Sequence, residues 1–194
     1  MEILKRTLTI SALLVVFAIN ASAQHNEELL NAFKESYELE DKGEYNQAIE
    51  KLKAVYNESS YELNLRLAWL NYEAGQFTES TAFYNKAINL MPYAEQPRFG
   101  IVYPASALGN WSQVINQYNK ILENNPGNTT ALYRLASIYY GKEEYEKAFN
   151  FLEKVINFYP FDYDSLILYA WINLKLGKIR EAKILFNKAL LLSP

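Results

Sequence analysis

Residues 75–92 read GQFTESTAFYNKAINLMP, and the pattern returns at 109–126 (GNWSQVINQYNKILENNP), 143–160 (EEYEKAFNFLEKVINFYP) and 177–194 (GKIREAKILFNKALLLSP). The four closing prolines, Pro92, Pro126, Pro160 and Pro194, stand 34 residues apart. A fixed period of this length marks a stacked array rather than one globular core. GEYNQA, from Gly43, opens the same segment in a first unit that lacks the proline and lies 32 residues ahead of the second. Each unit joins two helical periods through a turn, Gly-containing in most of them, and stops at a helix-breaking proline. A lone hairpin cannot bury both its faces, so neighbours must stack.

Repeat four carries Leu132, Leu135, Ala136, Tyr139, Tyr145, Ala148, Leu152, Val155 and Pro160 in the order of a known motif. Repeat five matches it with Leu166, Ala170, Gly177, Ile179, Ala182, Phe186, Ala189 and Pro194, and repeat two with Leu67, Ala68, Gly75, Phe77, Ser80, Tyr84, Ala87 and Pro92. The pattern resembles the tetratricopeptide repeat (TPR) family. The resemblance implies an all-α fold, a right-handed α-solenoid of about five helix-turn-helix units. The repeats fall near 29–60, 61–94, 95–128, 129–162 and 163–194, within one array over 24–194. Small residues, Ser36, Ala68, Ala136 and Ala170, recur where paired helices would cross closely. Repeat three departs from this: Val102 replaces the small residue, and Pro104 falls inside the helix, so a kinked or shortened helix is expected between Pro97 and Gly109.

The first helix of each unit carries a second apolar stripe, as in Leu65, Trp69 and Tyr72 beside Leu67 and Ala68. A helix apolar on two sides has two partners. The resemblance places the second stripe on the concave surface, where it lines a partner-binding groove. The positions are Phe33 and Tyr37, then Leu65, Trp69 and Tyr72, then Phe99 and Tyr103. Repeat four adds Tyr133, Ser137 and Tyr140, and repeat five Ile167, Trp171 and Leu174. Burial of the stripe as ordinary core is the alternative. Family co-chaperones that grip the acidic C-terminus of cytosolic chaperones carry Lys and Asn where Phe33 and Tyr37 stand, so the resemblance does not extend to that clamp. Arg66 and Arg134 sit one residue beyond groove positions, open either to a ligand carboxylate or to solvent.

The N-terminus, MEILKRTLTISALLVVFAINASAQ, has a basic start, an apolar run over Leu8–Ile19 and the small residues Ala21-Ser22-Ala23. It reads as a signal peptide over 1–23, with a retained anchor as the alternative. The apolar run is shorter than the roughly 20 residues of a membrane span. The chain is thus expected to be exported, to the periplasm of a bacterial envelope or beyond it. Three sequons, Asn57-Glu58-Ser59, Asn110-Trp111-Ser112 and Asn128-Thr129-Thr130, would matter only in a eukaryotic secretory route.

Net charge is −3, and −4 once the first 23 residues are removed, which excludes the basic surface a nucleic-acid binder needs. There is no cysteine, hence no disulfide and no thiolate nucleophile or metal ligand. The one histidine, His25, lies beside the expected cleavage point. No P-loop, dinucleotide fingerprint or HExxH occurs, and the EEYE cluster at 143–146 is a helix-start feature. No catalytic residue, metal or cofactor is expected.

The sequence therefore reads as a non-catalytic protein-binding scaffold of the cell envelope, holding a protein or peptide in an aromatic groove. A glycan-binding module and a structural subunit are the alternatives. For the latter, the last helix carries a broad apolar stripe with Ile184, Leu190, Leu191 and Leu192. Charge is also uneven, with ten acidic and four basic residues over 24–62 against two and five over 163–194. Self-association or docking through that end is one reading of these features, and fraying of the helix or inward packing of its leucines on Leu166 and Ala170 is the other.

Overall fold

The computed structural model describes residues 26–192. The signal-peptide pattern, the expected cleavage point, His25 and Pro194 lie outside the described residues. Among those described there are ten helices and no strand. They run α1 (26–40), α2 (Tyr45–Ala54), α3 (Tyr61–Glu73), α4 (Phe77–Leu90), α5 (Glu95–Ala107), α6 (Trp111–Asn124), α7 (Thr129–Gly141), α8 (Tyr145–Phe158), α9 (Tyr163–Lys175) and α10 (Ile179–Leu192). Consecutive helices pair into five hairpins, which is the α-solenoid class. The hairpins group into two compact units, one ending at Pro92 and one beginning at Tyr93.

Each hairpin is closed in the same way. Gly43, Gly75, Gly109 and Gly177 follow α1, α3, α5 and α9 with φ between 70° and 75°. The next N–H reaches back five residues, as from Gln76 to Asn71 O (2.8 Å), Asn110 to Ala105 O (2.8 Å) and Lys178 to Asn173 O (2.9 Å). This is a Schellman closure, which satisfies carbonyls that the helix end leaves open. After α7 the same position is held by Glu143, at φ 60°, the one non-glycine residue with positive φ among those described.

Second helices end on the prolines. Met91, Asn125 and Tyr159 precede them with ψ of 79°, 81° and 76°, outside the helical region that a following proline disfavours. Without its proline the first unit has a second helix of only 10 residues, against 14 in α4, α6 and α8. First helices start on side-chain caps: Ser60, Asn128 and Asp162 accept from Leu63, Ala131 and Ser165 backbone N–H groups.

Within hairpins the helices cross at small side chains with no exposed surface, Ala68 on Ser80 in the first unit and Ala136 and Ala148 in the second. The Ser80 hydroxyl donates to Ala68 O at 2.7 Å, so the backbones approach closely enough for a side chain to bridge them. Around these crossings the first unit builds one core on Leu52, Leu63, Leu67 and Leu70. The second unit builds two, around Ile121 with Leu135 and around Leu152 with Ile172.

The expected shortening in repeat three does not occur. α5 covers the same 13 residues as α3, α7 and α9, with Pro104 buried inside it. A proline removes one donor and presses on the carbonyl of residue i−4, which here belongs to Gly100, whose backbone yields most easily. The Pro104 carbonyl still accepts from Leu108 N–H at 3.0 Å, so the following turn is intact.

α10 leaves Ile184, Leu190, Leu191 and Leu192 exposed, Leu191 by 84%. No helix among the described residues is long and apolar enough to cross a membrane.

The turn position yields a direct test. A left-handed backbone costs a side-chain-bearing residue about 1–2 kcal/mol, whereas glycine's extra unfolded-state freedom costs about 0.5–1 kcal/mol. The first term is the larger, so Glu143→Gly should stabilise the chain by roughly 0.5–1 kcal/mol. Gly75→Ala should destabilise it by a similar amount, both read as shifts of the urea midpoint.

Candidate functional site

None of the thirteen expected groove residues is fully buried. Tyr37, Tyr103, Trp171 and Leu174 are exposed, and Phe33, Leu65, Trp69, Tyr72, Phe99, Tyr133, Ser137, Tyr140 and Ile167 are half-buried. What each side chain touches differs between the two units.

In the first unit the aromatic residues are tied into a polar cluster. Arg66 on α3 is 8% exposed. One of its terminal nitrogens lies 2.6 Å from Glu40 Oε2, Nε donates to the Ser36 hydroxyl at 3.2 Å, and the guanidinium sits 3.8 Å from the Tyr37 ring centroid. Trp69 Nε1 donates to the other Glu40 oxygen, and the Trp69 and Tyr72 rings pack 5.7 Å apart. Arg66 is therefore neither a ligand-facing nor a solvated arginine. It is the cation of a buried pair that joins α3 to α1. In water such a pair is worth little, but removal of one partner from a buried pair strands the other charge.

In the second unit the helices part around an open cleft of about 740 Å³. Helix α5 supplies Phe99, Tyr103 and Ser106, α6 supplies Trp111, Val114 and Tyr118, and α7 supplies Thr130, Arg134 and Ser137, with Lys142 at its end. Tyr103 and Trp111 are each 50% exposed, while Tyr118 is buried with its ring 6.1 Å from that of Phe99. Burial raises the pKa of the Tyr118 phenol; the charge of Arg134 opposes this and Tyr103 adds to it. The charged side chains on the lining are Arg134 and Lys142, with no Asp or Glu among them. Lys142 has a partner in Glu144, at 3.9 Å. Among the described residues no carboxylate lies within ion-pair reach of Arg134.

The cleft brings together three expected groove residues, Phe99, Tyr103 and Ser137, with Arg134. The others lie elsewhere: Tyr133 and Tyr140 pack against the Leu152 core, and Trp171 meets Phe186 edge-on at 5.2 Å. The contribution of α6 was not expected. A groove reading confined to first helices does not reach Trp111, Val114 and Tyr118, which stand on the second helix of their hairpin.

An all-helical array of hairpins closed by Schellman turns, with an aromatic cleft between successive hairpins of the second unit, is the architecture of a helical-repeat interaction protein. Residues 33–96 match the family described as Tetratricopeptide repeat, and residues 108–189 match that described as Anaphase-promoting complex, cyclosome, subunit 3. The chain belongs to the tetratricopeptide repeat family. Proteins of this family are generally non-catalytic protein-interaction modules.

Over 156 residues the chain is 27% identical to the TPR repeat-containing protein YpiA of Bacillus subtilis, covering 78% of this chain. It spans 37% of that relative's length. A crystal structure of MamA superposes with a TM-score of 0.73 at 20% identity, over 85% of this chain and 91% of MamA. A tetratricopeptide repeat protein from Parabacteroides merdae gives 0.74 at 22% identity, over 84% of this chain and 66% of that one. At these identities the likeness is one of fold.

Arg66 and Arg134 occupy one repeat position in two environments, so their removal should differ. Arg66→Ala should cost about 3 kcal/mol, since it leaves the Glu40 carboxylate largely buried. Arg134→Ala should change stability by less than about 0.5 kcal/mol, because it breaks no pair. Urea denaturation of both variants measures the contrast.

Proposed function

We propose that this chain is a non-catalytic scaffold of the bacterial cell envelope that holds a segment of a partner polypeptide in the cleft between α5, α6 and α7. The cleft carries this reading. Its volume falls in the range of about 300–1,000 Å³ typical of ligand sites, and aromatic side chains wall it. Tyrosine and tryptophan offer large contact area for few rotatable bonds, which is why they dominate binding hot spots. The tetratricopeptide class, whose members generally bind proteins, favours a polypeptide. Placement in the envelope rests on the signal-peptide pattern of residues 1–23.

A glycan reading has one observation behind it. The hydroxyls of Ser106, Thr130 and Ser137 lie beside the aromatic walls, and sugar recognition needs polar groups next to stacking rings. Glycan-array screening separates the two: saturable binding to a defined saccharide, blocked by Trp111→Ala, would replace the polypeptide reading.

The polypeptide reading predicts that Tyr103→Ala and Trp111→Ala each weaken partner capture from an envelope extract by about 2 kcal/mol. Both side chains are half-exposed, so circular dichroism and melting of the variants should stay near wild type. Trp171→Ala, outside the cleft, should leave capture intact. Undiminished capture by folded Tyr103 and Trp111 variants refutes the proposal.

A further inference from the structure

The left-handed residue after each first helix provides a common origin for comparing the two units. Counted back from Gly43 and from Gly109, Ser36 corresponds to Val102, Tyr37 to Tyr103 and Glu40 to Ser106. Counted back from Gly75 and from Glu143, Arg66 corresponds to Arg134 and Trp69 to Ser137. In the first unit these positions form one closed cluster: Arg66 stacks on Tyr37 and pairs with Glu40, which also accepts the Trp69 indole N–H. In the second unit the same positions again hold an arginine and a tyrosine, while serine stands at both the carboxylate and the indole positions. Tyr103, Ser106, Arg134 and Ser137 all line the cleft.

We infer that the cleft is a recognition site for a carboxylate accompanied by an aromatic ring, the two groups that Glu40 and Trp69 supply internally in the first unit. This rests on the polypeptide reading above and names what the partner segment must carry. Two serines replacing Glu and Trp leave space where those side chains would stand. Arg134 keeps the cation that a carboxylate complements, and no acidic group of the cleft lining competes for it. The Arg134 guanidinium offers planar hydrogen-bond donors to a carboxylate, and the aromatic residues on the same lining offer surface for a ring to pack against. Lys142, at the end of α7 and on the same lining, adds to the positive potential. The carboxylate can come from an acidic side chain or from a chain terminus, since Arg134 meets the same group in either case.

The test uses the full chain and follows the indole N–H resonance of Trp111. The probes are acetyl-Gly-Trp-Gly-Glu-Gly-amide, its Gln counterpart, and acetyl-Gly-Gly-Trp as free acid and as amide. Each acid should bind about tenfold or more tightly than its uncharged counterpart, the range of a charge-assisted hydrogen bond. Comparison of the two acids identifies the preferred source. Arg134→Gln should abolish the preference for the acid. Ser106→Glu should block the acids by restoring the internal carboxylate, and should raise the melting temperature. Ser137→Trp tests the indole position independently and should also block them. Equal affinity for acids and amides overturns the inference, as does acid preference that survives in Arg134→Gln or binding that survives in a folded Ser106→Glu chain. If partner capture depends on Tyr103 and Trp111 while the probes show no acid preference, this inference falls and the polypeptide reading stands. Acid-selective probe binding with capture indifferent to both residues has the opposite consequence.

Discussion

One short piece of backbone governs the architecture. At the end of each first helix a single residue turns to positive φ, and the N–H that follows reaches back five residues to close the helix. That closure sends the chain back antiparallel, which brings Ala68 against Ser80 and Ala136 near Ala148 with no exposed surface at any of them. Crossings this close tolerate no larger side chain without displacing a backbone, so they set the helix spacing where they occur. Because each first helix ends on the same closure, residues can be compared between hairpins by their distance from the turn. The relation between the Arg66 and Arg134 environments follows from that regularity.

The two environments show how one side chain is used in opposite ways. Around Arg66 the guanidinium is surrounded by groups from a helix about thirty residues earlier, Ser36 Oγ at 3.2 Å and Glu40 Oε2 at 2.6 Å. There the charge contributes to cohesion, holding α3 on α1. Around Arg134 the corresponding groups are a valine and a serine, and the guanidinium stays at the surface of a cleft. Burial decides the difference. A charge taken out of water must be matched from within, whereas one left at the surface is free to meet a ligand. Lys142 and the buried Tyr118 complete a lining that is cationic at the edge and aromatic in the wall, in a chain whose net charge is −3.

Most of the fold was legible in the sequence because glycine and proline act on the backbone locally. Pro92, Pro126 and Pro160 ended α4, α6 and α8, and the 32-residue spacing of the first unit became a 10-residue second helix. Pro104 was legible as a proline inside a helix, but not that α5 would keep its full 13 residues with that proline buried. The site was only partly legible. A stripe of apolar residues shows that a face is covered, without showing by what. The fate of Arg66 depended on whether a helix thirty residues back placed a carboxylate three positions before its turn. Both facts lay in the sequence, yet they combine only when the register between neighbouring helices is known. The part played by Trp111 and Tyr118 was missed because α6 approaches the cleft from the second-helix side.

The paired environments also bear on how such arrays diversify. A repeat that carries arginine, carboxylate and indole together arrives as a closed interface, and its effect is to extend the array. Small residues in place of the carboxylate and the indole, as at Ser106 and Ser137, leave the arginine and the aromatic wall on an open cleft. New specificity then requires no invention of a cation or an aromatic wall, only release of those already present. The route is reversible, since restoring either side chain seals the cleft. Selection can thus move a repeat between cohesion and recognition in a few substitutions while the backbone stays unchanged.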